Sequence, residues 1–105
     1  MSKPVDIVHD LAPNFWHGSL AVGAAAVQLI PIALPGIMKG VQIKAAFGNT
    51  DELYVGKAEV TAASADVSDG MELSAGEGVF IPIEDVTKIW IIASAAAQEV
   101  YWMAV

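Results

Sequence analysis

Short apolar stretches separated by turn-forming residues account for most of the chain. Between Val41 and Phe47 apolar and polar residues alternate, and this two-residue period is typical of a half-buried strand. The turn formers Gly48 to Asp51 follow, and Leu53 to Thr61 again has the pattern of a strand. We therefore predict a hairpin between these two strands, with Phe47 on the same face as Val41.

The later part of the chain repeats this succession of strands and turns. The further predicted strands are Met71 to Leu73, Val79 to Ile83, Lys88 to Ser94 and Glu99 to Val105. Roughly six to eight short strands at a spacing of about ten residues, with few helix signals, are typical of sandwiches, jelly rolls and small barrels. The predicted fold class is all-β, an antiparallel, jelly-roll-like β-sandwich in a single domain.

Residues 1–19 are predicted to form an extended N-terminal arm, and residues 20–105 the β-sandwich domain. Pro4 and Pro13 disfavour a helix, and the segment has no helical period. It nevertheless carries large apolar side chains, among them Phe15 and Trp16, which a solvated tail would not need. The arm is therefore expected to pack either on its own domain or on a neighbouring subunit.

The apolar segment from Leu20 to Met38 approaches the length of a transmembrane helix, which needs about 20 apolar residues. Gln28, Pro31 and Pro35 interrupt it, however, and proline suits a helix interior poorly. We predict one or two buried strands in this segment and no membrane span.

Composition indicates more apolar surface than one small domain can bury. The sequence has 105 residues, of which 55% are hydrophobic and 16% are charged, against about 25% charged residues in typical domains. Exposed apolar patches of more than a few hundred Å² usually mark interfaces. We therefore expect a homo-oligomer or a component of a larger assembly.

The charge balance makes polyanionic partners poor candidates. The formal net charge is −7, and the 5 basic residues are all lysines. Nucleic-acid binding requires a basic patch, and arginine is the side chain best suited to bidentate phosphate recognition. We expect neither nucleic acid nor a membrane as a partner.

The sequence offers few residues for catalysis or metal binding. The absence of cysteine excludes disulfides, thiolate zinc sites and cysteine nucleophiles. His9 and His17 match no metal-site spacing, the acidic loop Asp66 to Gly70 does not match an EF-hand, and no serine lies in a Gly-x-Ser-x-Gly elbow. We predict no catalytic residue, no cofactor, no metal site and no enzyme activity. A histidine-bound metal, calcium at the acidic turns and a Ser–His–Asp set formed in space stay open as alternatives.

The candidate interface residues are Phe15, Trp16, Trp90, Tyr101 and Trp102. Aromatic side chains are enriched in protein interfaces. Alternation places Trp90 and Ile92 on the face opposite to Ile89 and Ile91, so both faces of this strand carry large apolar groups. The sequence is consistent with two roles for Trp90, packing in the core and contact with another subunit.

One succession of motifs extends over Gly40 to Val105. It comprises Val41 to Ala45, Asn49, Leu53 to Gly56, Val60-Thr61, Gly70, Leu73, Gly76-Glu77, Val79 to Ile83 and Ile89 to Ala93. This succession resembles small β-sandwich structural proteins of tailed-phage virions, of the capsid decoration (cement) type or the head-fibre and spike-base type. The resemblance supplies no catalytic residue.

The resemblance implies a virion structural protein, first of all a capsid decoration protein that bridges subunits of the head shell. It further implies a homotrimer, with the major capsid protein or another virion protein as partner, located on the capsid surface after synthesis in the host cytoplasm. Two alternatives stay open. One is a tail, neck or fibre-base component, and the other is a carbohydrate-binding β-sandwich that stacks sugars on Trp90, Trp102 or Tyr54.

Overall fold

A computed structural model of the chain describes residues 15–35, 38–62 and 69–105. The strands are β1 (Trp16–Val22), β2 (Val27–Gln28), β3 (Val41–Ala45), β4 (Leu53–Gly56), β5 (Met71–Leu73), β6 (Gly78–Ile81), β7 (Trp90–Ala93) and β8 (Gln98–Ala104). A short 3-10 helix, Val86–Lys88, lies between β6 and β7.

The strands form two four-stranded sheets, with the orders β1-β8-β3-β6 and β2-β7-β4-β5. We refer to them as the β1 sheet and the β2 sheet. Each pair of neighbouring strands is antiparallel, and the chain crosses repeatedly from one sheet to the other. Eight strands in two sheets with this order form a jelly roll. The predicted all-β, jelly-roll-like antiparallel sandwich is confirmed.

The core lies between the two sheets and is built by strand alternation. In β3, Val41, Ile43 and Ala45 are buried, whereas the two residues between them are exposed. The facing sheet contributes Leu53 and Ile91, which are completely buried. Because burial of a large aliphatic side chain contributes about 1.5–3 kcal/mol, this apolar layer is what stabilises a domain without disulfides.

Two details of the predicted strand pattern are wrong. Strands β3 and β4 do not form a hairpin, because they belong to different sheets; β3 pairs with β6 and β8, and β4 pairs with β5 and β7. Phe47 does not share the buried face of Val41. The strand ends at Ala45, Ala46 is also buried, and this breaks the alternation and leaves Phe47 79% exposed.

The N-terminal part of the sandwich begins earlier than residue 20. Strand β1 starts at Trp16, and residues 16–19 pair with β8 in one continuous register. The earlier residues of the predicted arm, with His9, lie outside the described residues. In the segment from Leu20 to Met38 the structure has the end of β1, the short β2 and the buried Leu29 and Ile30. None of the described residues belongs to a helix with the length and hydropathy needed to cross a bilayer.

Candidate interaction surfaces

The outer face of the β1 sheet carries exposed apolar side chains. Phe80, Tyr101 and Met103 are each 46% exposed, and they alternate with residues that face the core. In the register of the sheet, Met103 is the partner of both His17 and Gln42, and Gln42 is also the partner of Phe80. Apolar and uncharged polar groups therefore alternate across the sheet in one row.

The next row of the same face contains Ser19, Tyr101, Lys44 and Gly78 as register partners. Between the two rows lies a shallow depression of about 340 Å³, bordered by Tyr101, Met103 and His17. Its accessible area is mainly apolar, and the polar groups of Gln42 and Lys44 lie at its margin. Such a surface suits contact with another protein better than the recognition of a small polar ligand.

A hydrogen bond fixes the hydroxyl group of Tyr101 on this face. The Tyr101 hydroxyl donates to Glu99 Oε1 at 3.2 Å. This bond to a carboxylate, together with the negative charge of Glu99, raises the pKa of Tyr101. The phenol lies along its own strand, two residues from its acceptor.

The outer face of the β2 sheet carries a second group of large side chains. Trp90 and Ile92 are half-buried and alternate with the buried Ile91 and Ala93, as the sequence predicted. Tyr54 is the register partner of Ile92, and its hydroxyl donates to Glu72 Oε2 at 3.1 Å. Partial burial and the interaction with Glu72 raise the pKa of Tyr54.

Phe47 lies at the end of the sandwich where the turn after β5 approaches β3. The Lys44 ammonium lies 4.9 Å from the centroid of the Phe47 ring, within the range of a cation–π interaction. Gly76 has a φ of +82°, and a Cβ atom there would lie 2.7 Å from the same ring. The turn thus needs glycine both for its backbone conformation and for the close approach of Phe47.

The predicted interface residues divide between the two sheets. Trp16 and Trp102 pack against the core from the inner side of the β1 sheet, and Tyr101 is exposed on its outer side. Trp90 lies on the outer side of the β2 sheet, and Phe15 precedes β1 with 53% of its surface exposed. The structure therefore brings Trp16, Tyr101 and Trp102 into one sheet and separates Trp90 from them.

The five candidate interface residues from the sequence include neither Phe80 nor Met103. The available signal was their position in the alternation, since each lies between residues that face the core. Sequence reasoning placed large aromatics in the interface and left out methionine, although methionine is also enriched in interfaces.

The described residues contain no group of three or more histidine, aspartate or glutamate side chains arranged to hold a metal ion. His17 lies on the outer face of the β1 sheet, beside Met103. Of the predicted acidic loop, residues 66–68 lie outside the described part of the chain, and Asp69 accepts a hydrogen bond of 2.6 Å from the Thr61 hydroxyl.

Comparison with known proteins shows the fold only. No protein-family model and no curated protein matches the chain. A solved structure of Bacillus endospore appendages, which form a family of disulfide-linked pili, has a similar chain with a TM-score of 0.58 and 10% sequence identity. The similarity covers 87% of this chain and 81% of that chain. Both chains are thus small all-β domains of one architecture.

Proposed function

We propose that this chain is a structural subunit of a protein assembly and, within that class, a decoration protein on the capsid of a tailed-phage virion. The observation that carries the proposal is the exposed apolar outer face of the β1 sheet, with Phe80, Tyr101 and Met103 each 46% exposed. An acidic, otherwise well-packed domain gains nothing in stability from leaving these groups in water. A partner surface that covers them removes that cost.

The fold and the structurally similar appendage protein support a role in assembly in general. Jelly rolls occur in viral capsid proteins and in lectins, so the fold alone does not choose between them. The structurally similar appendage protein builds disulfide-linked pili. This chain has no cysteine, so its own contacts with neighbours would be non-covalent. The resemblance of the motifs between Gly40 and Val105 to virion proteins is the reason for proposing a phage virion, and the capsid in the first place, as that assembly.

A decoration protein of this kind stabilises a shell by burying surface across the junctions between shell subunits. Each Å² of apolar surface removed from water contributes about 25 cal/mol. On this chain Met103 and Phe80 supply apolar area, and Lys44 and His17 supply hydrogen-bond donors beside it. The matching surface on the shell would be apolar with carboxylate or carbonyl acceptors at its margin.

The direct test is the location and copy number of the chain in particles from its natural source. Particles are separated on a density gradient, and the ratio of this chain to the major shell protein is measured by quantitative mass spectrometry. A copy number comparable to that of the major shell protein supports a decoration protein. A handful of copies per particle would instead indicate a neck or fibre-base component, and absence from particles would overturn the virion role.

A surface variant tests whether the proposed face makes the contact. Met103→Lys places a charge in the apolar row, and we expect its affinity for particles that lack the chain to fall about tenfold, which corresponds to about 1.4 kcal/mol. Ala58→Lys adds the same charge at another exposed position and should bind normally. Equal binding by the two variants would exclude this face. Glycan-array binding that is lost in Trp90→Ala would favour the carbohydrate-binding alternative.

A further inference from the structure

Four strands lie at the edges of the two sheets. Strands β1 and β6 are the edges of one sheet, and β2 and β5 are the edges of the other. An edge strand exposes unpaired backbone N–H and C=O groups, and proteins usually protect such edges with short strands, charged residues or proline. The four edges of this jelly roll differ sharply in this protection.

Three of the edges are protected. Strand β2 has two residues and is followed closely by Pro31. Strand β5 has three residues, one of which is Glu72. Strand β6 has four residues and is enclosed by Glu77 and Pro82. None of these three edges offers a long, uncharged strand to another chain.

Strand β1 has none of these features. It has seven residues, Trp16–Val22, with no proline, no lysine and no carboxylate. Within the described part of the chain it pairs with β8 on one side only. In a chain with a net charge of −7, this uncharged edge is where two copies can approach with the least electrostatic repulsion.

We propose that β1 pairs with β1 of a second copy, antiparallel and across a two-fold axis. The two four-stranded β1 sheets would then join into one continuous sheet. A two-fold axis perpendicular to the sheet pairs outer-face residues with outer-face residues, so the axis must pass through a residue position. Full overlap of the strand places Ser19 on the axis.

The side chains of β1 are complementary in this register. Ala21 of one copy would lie opposite His17 of the other, so a small residue faces a large one on the outer side. On the inner side Leu20 would lie opposite Gly18, and Trp16 opposite Val22. No like charges face each other, whereas charged pairs of equal sign would destabilise the contact. The strand is therefore suited to pairing with itself.

The three-fold ring that the virion resemblance implies would need a different contact. In a ring, β1 of each copy would have to pair with a different edge of the next copy. The other edge of the same sheet is β6, which has four residues and ends at Pro82. Among the edge strands of the described residues, a seven-residue strand finds a partner of equal length only in a second β1. The contact is thus a two-fold pair, and it does not depend on attachment to a virion.

Single-cysteine variants of the full chain test this pairing, because the natural chain has no cysteine. Residues directly opposite in an antiparallel pair have Cβ atoms about 4.5–5.5 Å apart, close enough for a disulfide or a short thiol cross-linker. Ser19→Cys should therefore give a covalent dimer under mild oxidation or with such a cross-linker. Ser94→Cys, a serine that is also exposed but lies in the turn after β7, is the matched control and should remain monomeric.

A mixture of His17→Cys and Ala21→Cys chains with tags of different size should give the mixed dimer in preference to either homodimer. Ser19→Lys places two like charges on the axis, and the native mass by light scattering should fall from dimer to monomer, whereas Ser94→Lys should leave the dimer intact. Circular dichroism checks that each variant is folded. The proposal is overturned if Ser19→Cys cross-links no better than the control, if the natural chain stays monomeric at high micromolar concentration, or if Ser19→Lys leaves the mass unchanged.

Discussion

The side-chain amide of Gln98 binds both the backbone and the hydroxyl group of Thr50. Gln98 Oε1 accepts from the Thr50 backbone N–H at 2.9 Å and from the Asp51 backbone N–H at 3.0 Å. Gln98 Nε2 donates to Thr50 Oγ1 at 3.2 Å and to the Ala96 carbonyl at 2.9 Å. Gln98 is only 3% exposed, so one side chain at the start of β8 ties the β3–β4 loop to the β7–β8 turn.

We expect Gln98→Ala to lower the free energy of unfolding by about 2–3 kcal/mol, because it leaves the Thr50 and Asp51 N–H groups without their acceptor. Chemical denaturation monitored by tryptophan fluorescence measures this loss. The control is Gln42→Ala, a change at an exposed position of β3, which should cost less than about 0.5 kcal/mol. Equal losses in the two variants would contradict the role assigned to Gln98.

The turn that precedes Gln98 contains a strained residue. Ala97 has a φ of 64°, a left-handed conformation that costs an L-residue other than glycine roughly 1–2 kcal/mol. Ala97→Gly should therefore raise the unfolding free energy by about 0.5–1 kcal/mol after the greater chain entropy of glycine is subtracted. Ala96→Gly, at the exposed neighbouring position without this conformation, should lower it by a similar amount. The two variants are compared by thermal melting, and a lower melting temperature for Ala97→Gly would refute the assignment of strain.

Gly18 and Trp102 are register partners in adjacent strands, and the indole ring lies directly over the glycine. A Cβ atom added at Gly18 would lie 2.7–2.9 Å from three ring atoms of Trp102. We expect Gly18→Ala to cost about 1–3 kcal/mol through overpacking, partly offset by the better strand propensity of alanine. Gly48→Ala is the control, since no atom lies within 4 Å of its added Cβ. Equal urea denaturation midpoints for the two variants would contradict this prediction and would mean that the Trp102 ring moves to accommodate the added methyl group.

Local sequence pattern predicted the strands well and their partners poorly. Alternation identified β3 and the inward side of β7, because these depend only on which side chains are apolar. The β3–β4 hairpin was wrong because a turn such as Gly48 to Asp51 looks the same whether the chain returns to its own sheet or crosses to the other. The jelly-roll order depends on pairings such as that of β1 with β8, whose residues lie at opposite ends of the chain.

The surfaces were predictable only in part, for a related reason. Whether an aromatic residue of a strand faces the core depends on register, and register fixes the inner side for Trp102 and the outer side for Tyr101. The sequence alone does not show which of these two adjacent aromatic residues faces the core. The absence of charge in β1 was visible from the start, but its meaning depends on β1 being an edge strand, which only the topology reveals.

The hydrogen bond between Tyr54 and Glu72 links two strands of the β2 sheet and makes a prediction about alkaline pH. Partial burial comes first and this bond second in raising the pKa of Tyr54 above its usual value of 10.0. Because the pKa of Tyr54 is raised in the folded state, its protonated form contributes to the free energy of unfolding. This contribution is fully present below the pKa that Tyr54 has in the unfolded chain. It is lost as the pH rises through the folded pKa. Glu72→Gln should lower the pKa of Tyr54 without returning it fully to its usual value, since the burial remains.

The measurement is an ultraviolet titration of the phenolate in a Tyr101→Phe background. The sequence has two tyrosines, so this background leaves Tyr54 as the one group that is observed. Glu77→Gln removes an exposed carboxylate from the turn after β5, and the pKa of Tyr54 should not change in that variant. A pKa that responds equally to both substitutions would mean that the general negative charge of the chain sets it. A response to Glu72→Gln alone would show that Glu72 itself, and not the general charge of the chain, raises the pKa of Tyr54 in solution.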